Sequence, residues 1–102
     1  MDSLEATDAA AAAVQKTPNR VSLDSIKAKI AEVEFHAPHL EPTMTVCFVK
    51  MQNGFVVIGK TAPADPGNFD AELGRKFAYE DAVRQIWPLE GYALRERLAA
   101  EA

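Results

Sequence analysis

Met44-Thr45-Val46-Cys47-Phe48-Val49-Lys50-Met51, then Gln52-Asn53-Gly54-Phe55, then Val56-Val57-Ile58-Gly59-Lys60: two apolar, β-branched runs enclose an Asn-Gly pair, and the stretch reads as a β-hairpin. Asn53-Gly54 suits the two central positions of a type I′ turn, both of which need φ > 0, and a two-residue loop sets the register. Gln52 then faces Phe55, and the remaining pairs follow along the strands. Met51, Val56, Val49, Ile58 and Cys47 share the core face with Lys60, while Gln52, Phe55, Lys50, Val57, Phe48 and Val46 share the other. On that second face Phe48 stands opposite Gly59. The surface is apolar for one meant to meet water, so helices or another subunit are expected to cover it.

Working outward, Val33 and Phe35 alternate with Glu32, Glu34 and His36, a period of two that predicts a third strand ending near Pro38. Before it, Leu23, Ile26 and Ile30 are spaced for a short amphipathic helix, with Ser22 as N-cap and Asp24 in the favourable field of the first turn. After the hairpin, Thr61 to Gly67 is a loop with two prolines, and Asn68 is the next N-cap candidate. A long helix follows, with Phe69, Leu73, Phe77 and Val83 to Trp87 in one stripe and Ala78, Ala82 and Ile86 extending burial around its side. Glu72–Lys76 and Glu80–Arg84 are supporting pairs four apart. Pro88 is expected to end or kink this helix near Trp87, with a closing helix from Leu89 to Ala100. Residues 1–19 hold an alanine run, Ala9 to Ala13, and the breaker Thr17-Pro18-Asn19, and read as a disordered or weakly helical tail. The expected fold is α+β: residues 20–102 form a single domain of a short helix, a three-stranded antiparallel sheet with a central hairpin, and two C-terminal helices packed on one face.

Composition bounds the function. The chain has 102 residues, 48% hydrophobic and 25% charged, which suits one modest core. Eleven Lys plus Arg against fifteen Asp plus Glu give a net charge of −4, which argues against non-specific adhesion to nucleic acid or to an anionic membrane. Cys47 is the single cysteine, so no intramolecular disulfide forms and a reducing compartment fits. No apolar run approaches the roughly 18 residues of a membrane span, and Asp2, Glu5 and Asp8 stand where a signal peptide is basic. A soluble intracellular protein is expected.

Catalytic signatures are missing from the residues. Cys47 with His36 or His39 could pair a nucleophile with a base, but Cys47 projects to the predicted core face, where a thiol is usually inert. A zinc site from the same three lacks a fourth ligand and the paired-cysteine spacing. Gly54 to Gly59-Lys60-Thr61 has the spacing of a P-loop, yet the intervening residues form a strand and cannot wrap phosphates. No enzyme, metal or cofactor is therefore expected. What remains is a pocket argument: Tyr79, Trp87, Tyr92 and Phe69 supply rings, and Lys60, Arg75, Lys76 and Arg84 supply charge, as a small anionic aromatic ligand requires. Asp70 and Glu72 already occupy the helix start and weaken it as an anion site.

Gln52-Asn53-Gly54-Phe55, Asp65-Pro66 with Asn68-Phe69-Asp70, Gly74-Arg75-Lys76, Ala78-Tyr79-Glu80-Asp81-Ala82 and Ile86-Trp87-Pro88-Leu89-Glu90-Gly91-Tyr92 with Leu94 together resemble a family of small tailed-phage proteins. It is catalogued under gene product forty-nine of an N-four-type phage and gene sixty-six of a Shigella phage. The resemblance runs from about Arg20 to Leu98. One departure is Lys60-Thr61-Ala62-Pro63, where the family pattern has Ser-Ala-Cys. The resemblance implies a phage accessory protein in the host bacterial cytoplasm, akin to oligomeric sponges that sequester cyclic-nucleotide or ADP-ribose-type immune signals. The expected function is non-catalytic binding of a small nucleotide-like ligand by a homo-oligomer. Tyr79, Trp87 or Tyr92 stack on the base, Arg75, Lys76 and Lys60 neutralise phosphate, Asn68 and Phe69 shape the rim, and Thr61 belongs to the same set. The alternative is a protein-interaction module that docks on a host or phage protein through the Phe48 face.

Overall fold

The computed structural model describes residues 3–102, so Met1 and Asp2 of the expected tail lie outside the described residues. The elements are α1 (Leu4–Ala13), α2 (Leu23–Ala28), β1 (Ile30–His36), β2 (Thr45–Met51), β3 (Val56–Thr61), a 3₁₀ turn (Pro66–Asn68) and α3 (Ala71–Glu101). The strands form one antiparallel sheet in the order β1-β2-β3. The α+β class, and the order of a short helix, three antiparallel strands and C-terminal helix, are those read from the sequence.

The hairpin closes differently from the expected turn. Gly54 N–H donates to the Met51 carbonyl at 2.9 Å, and Met51 N–H donates to the Phe55 carbonyl at 2.8 Å. Gly54 has φ 91°, and no other described residue has a positive φ. The loop is therefore the three residues Gln52-Asn53-Gly54, a type I turn followed by a left-handed glycine, and not a two-residue type I′ turn. Asn53 Oδ1 accepts from Phe55 N–H at 3.0 Å and holds that geometry.

One extra loop residue moves the register by one step. Lys50 pairs with Val56, Val49 with Val57, Phe48 with Ile58 and Cys47 with Gly59. β2 keeps the expected faces, with Cys47, Val49 and Met51 inward. The expected faces of β3 are inverted: Val57 and Gly59 are buried, whereas Val56, Ile58 and Lys60 point outward. Phe48 accordingly lies opposite Ile58 and not Gly59.

The inverted face is the one α3 can pack against. A Cβ placed on Gly59 would lie 2.1 Å from the Ala78 carbonyl oxygen and 2.9 Å from the Ala82 Cβ, so the helix backbone sits directly on the strand. Gly74, Ala78 and Ala82, spaced four apart, form the contacting row. The expected stripe through Phe69, Leu73 and Phe77 is the wrong one: these stay 38%, 47% and 43% exposed, because the close approach demands small residues. Further along, Val83 and Ile86 are buried and join Ile26, Cys47 and Val49 in the core.

α3 is one 31-residue helix, not the two expected, and runs through Pro88. Proline inside a helix forfeits one hydrogen bond at a cost of about 3 kcal/mol. Burial of Ile86, together with Trp87 packed against the core immediately before the proline, offsets that cost. Asp70 caps the start, its Oδ1 accepting from Leu73 N–H at 2.9 Å, where Asn68 was the expected cap. Ser22 caps α2 as expected, its hydroxyl accepting from Ser25 N–H at 3.0 Å. Before α2, Leu4 of α1 is buried, and Arg20 returns to Asp8 in a 2.6 Å ion pair. Trp87 Nε1 donates to the Val21 carbonyl at 3.1 Å, tying α3 to the entry of α2.

Candidate functional site

A groove of about 550 Å³ opens between the hairpin tip and the second half of α3. Met51 and Phe55 line it from the hairpin, and Ile86, Leu89 and Ala93, spaced for one helical face, line it from α3. The hairpin tip is held in place by the α2–β1 junction. Gln52 N–H donates to the Lys29 carbonyl at 2.8 Å, and Gln52 Nε2 donates to the Ala28 carbonyl at 3.1 Å. The same junction presents Lys29, whose Nζ lies 2.5 Å from Glu90 Oε2 across the groove. Apolar walls with Gln52, Asn53, Lys29 and Glu90 at the rim are the composition of a ligand pocket, and its volume lies within the 300–1,000 Å³ such pockets span.

At the other end of α3 a smaller recess of about 130 Å³ is lined by Thr43, Thr61, Asn68, Phe69, Leu73 and Phe77. Three of the predicted site residues, Thr61, Asn68 and Phe69, meet there. The other six lie elsewhere. Lys60 points out from the open side of the sheet, while its backbone N–H donates to Asp81 Oδ2 at 2.9 Å. Lys76 Nζ reaches Glu80 at 2.9 Å and stands 5.8 Å from the centre of the Phe77 ring. Tyr79 packs half-buried on the core, and burial pushes its phenol above the ordinary value. Trp87 also packs on the core, with its N–H used on Val21. Arg75 and Tyr92 are exposed but stand 17 residues apart on one helix, about 25 Å at 1.5 Å per residue. Helical rotation of 100° per residue distributes these side chains around α3 and does not gather them on one side.

The groove residues were not among those predicted. Apart from Lys29 and Met51, they lie in two segments quoted for the family resemblance, Gln52 to Phe55 and Ile86 to Leu94. Their meeting depends on the three-residue turn and on α3 continuing past Pro88, neither of which is local.

Cys47 is fully buried, and desolvation pushes its thiol up to about 11. His36 pairs with Val46 in the register, which places it on the opposite sheet face from Cys47. Among the described residues no group of three or more His, Cys, Asp or Glu could hold a metal ion. No described helix is long and apolar enough to cross a membrane.

A family model matches residues 21–98, from the entry of α2 to the last turns of α3 and including the whole groove. The chain belongs to the Phage protein (N4 Gp49/phage Sf6 gene 66) family. That description is of a phage protein and names no reaction. α1 lies outside the matched span, whereas the sheet, both pockets and the Gly59 contact lie inside it. No curated protein and no solved structure matches the chain.

Proposed function

We propose that this phage protein is a non-catalytic binder of a small, ring-bearing, nucleotide-like ligand that seats in the groove between the hairpin tip and α3. The observation that carries the reading is the groove itself: about 550 Å³ of mostly apolar wall, with two amides, one cation and the carboxylate it pairs with at its rim. A base lies between Phe55 and Leu89, the Gln52 and Asn53 amides meet its edge, and Lys29 leaves Glu90 to meet a phosphate. The recess at Thr61, Asn68 and Phe69 is the secondary site, since about 130 Å³ takes only a fragment of such a ligand. Phage family membership supports a role in the host cytoplasm, where the ligand is an immune signal of the cyclic-nucleotide or ADP-ribose type and binding sequesters it. Calorimetry with a panel of cyclic dinucleotides and ADP-ribose derivatives tests this. Heat that is lost on Phe55→Ala is expected, and no heat from any compound at micromolar protein overturns the reading.

A second reading, a protein-interaction module for a host or phage protein, is favoured by the open sheet face. Phe48 lies between Val46 and Lys50 on that face, and Val56 and Ile58 beside it are 48% and 50% exposed. A pull-down with immobilised chain that retains one stoichiometric partner, and loses it on Phe48→Glu, is the expected outcome.

A further inference from the structure

α3 covers one side of the sheet and leaves the other bare. The pairing arranges the bare side in three rows: Glu32, Lys50 and Val56; Glu34, Phe48 and Ile58; His36, Val46 and Lys60. Four apolar side chains occupy its middle and its β3 side. Lone apolar residues on a surface mean little, but a contiguous group framed by charges marks a contact.

The charges say which contact. Two acids and two lysines sum to zero, so the face has no net field to draw a nucleic acid or an anionic membrane. Glu32 and Lys60 stand at opposite corners, with Phe48 at the centre. A two-fold axis through the Phe48 position, lying in the contact plane and perpendicular to that diagonal, carries each Glu32 onto the partner's Lys60. The strands of the two sheets then cross steeply, the near-orthogonal way in which sheets stack. Such a surface complements itself, as an isologous contact requires. Assembly through the free edge of β3 is closed off, because Asp81 accepts from Lys60 N–H and Gln85 Nε2 donates to the Ile58 carbonyl at 2.8 Å.

We propose that a second copy of this chain covers the bare face, Phe48 on Phe48, with Glu32 and Lys60 pairing across a two-fold axis. The inference rests on the reading of this face as a protein contact, and names the partner. It is independent of the groove.

Sedimentation equilibrium on the full chain, from micromolar to hundreds of micromolar, tests it. A dimer is expected, with Ile58→Glu raising its dissociation constant about 100-fold or more, as loss of a central contact does. Ile58 is half-exposed, so the variant keeps its fold, which far-UV circular dichroism verifies. Glu32→Lys and Lys60→Glu each weaken the dimer, and the two together restore it, an outcome that a generally sticky surface does not produce. A chain that stays monomeric throughout, a dimer indifferent to Ile58→Glu, or a double variant no better than the singles overturns the proposal. A monomer that still captures a host protein through Phe48 overturns the second copy and leaves the contact reading standing.

Discussion

Gly59 lies against the backbone of Ala78 so closely that a Cβ on the glycine would stand 2.1 Å from the Ala78 carbonyl oxygen. The contact holds α3 on the sheet, and it can form only if Gly59 turns inward. It therefore selects the register of β3, the residues left on the bare face, and the position of the groove wall.

The two glycines of the hairpin respond differently to the same substitution. Gly59→Ala forces the helix off the strand, and a loss of about 1–3 kcal/mol or more is expected, since the obstructing atoms are backbone. Gly54→Ala meets nothing within 4 Å, but its φ of 91° strains an L-residue by about 1–2 kcal/mol. Gly54→Asn recovers part of that loss, because asparagine tolerates the left-handed region, whereas Gly59→Asn is worse than Gly59→Ala. Urea melts of the four variants make the comparison.

Neighbouring positions on β3 report the register. Val57 is 5% exposed and Ile58 is 50% exposed. Val57→Glu buries an unpaired carboxylate and is expected to cost about 4 kcal/mol or to abolish folding. Ile58→Glu shifts unfolding by about 1 kcal/mol at most, beyond any effect on association. Thermal melts at a concentration low enough to keep the chain monomeric decide between this register and the two-residue-loop alternative, which predicts the reverse order.

Acid weakens the attachment of α1. The Arg20 guanidinium beside Asp8 holds its carboxyl below the ordinary 3.8, against the raising effect of partial burial. A carboxyl depressed in the folded state stabilises it fully above the unfolded value, and that contribution disappears as pH falls from about 3.8 through the lower folded value. Asp8→Asn should cost about 0.2–1 kcal/mol at neutral pH, the range of part-exposed pairs. The variant and the parent converge at the acid end of a pH series of melts.

Cys47 serves as a reporter of unfolding. Its thiol is fully buried, and desolvation carries it up to about 11, so thiolate is scarce at pH 8. Reaction with an aromatic disulfide reagent is expected to be slow in buffer and to accelerate in step with unfolding as urea is added. Immediate stoichiometric reaction of the native chain excludes the inward placement of β2.

Much of the fold was legible because the interactions that set it are local. The Ser22 hydroxyl caps α2 three residues on, the alternation of Val33 and Phe35 with acids marks β1, and Cys47, Val49 and Met51 fall two apart on the inner face of β2. The position of the hairpin was equally plain. Its register was not, because Asn53-Gly54 suits both a two-residue loop with two positive φ values and a three-residue loop with one. The groove was illegible for the same reason, compounded by Pro88, which locally reads as a stop.

The residues alone determined the α+β class, the three antiparallel strands, the short capped helix and the buried thiol, since periods of two and 3.6 and capping bonds act within a few positions. Tertiary packing decided the rest. Which face of β3 turned inward followed from a helix seated on a glycine some twenty residues away, and α3 ran unbroken through Pro88 because Ile86 and Trp87 pack on the core. Those contacts form only when α3 is docked on the sheet, so their free energy decides between local alternatives that the chain near Gly54 and Pro88 leaves open.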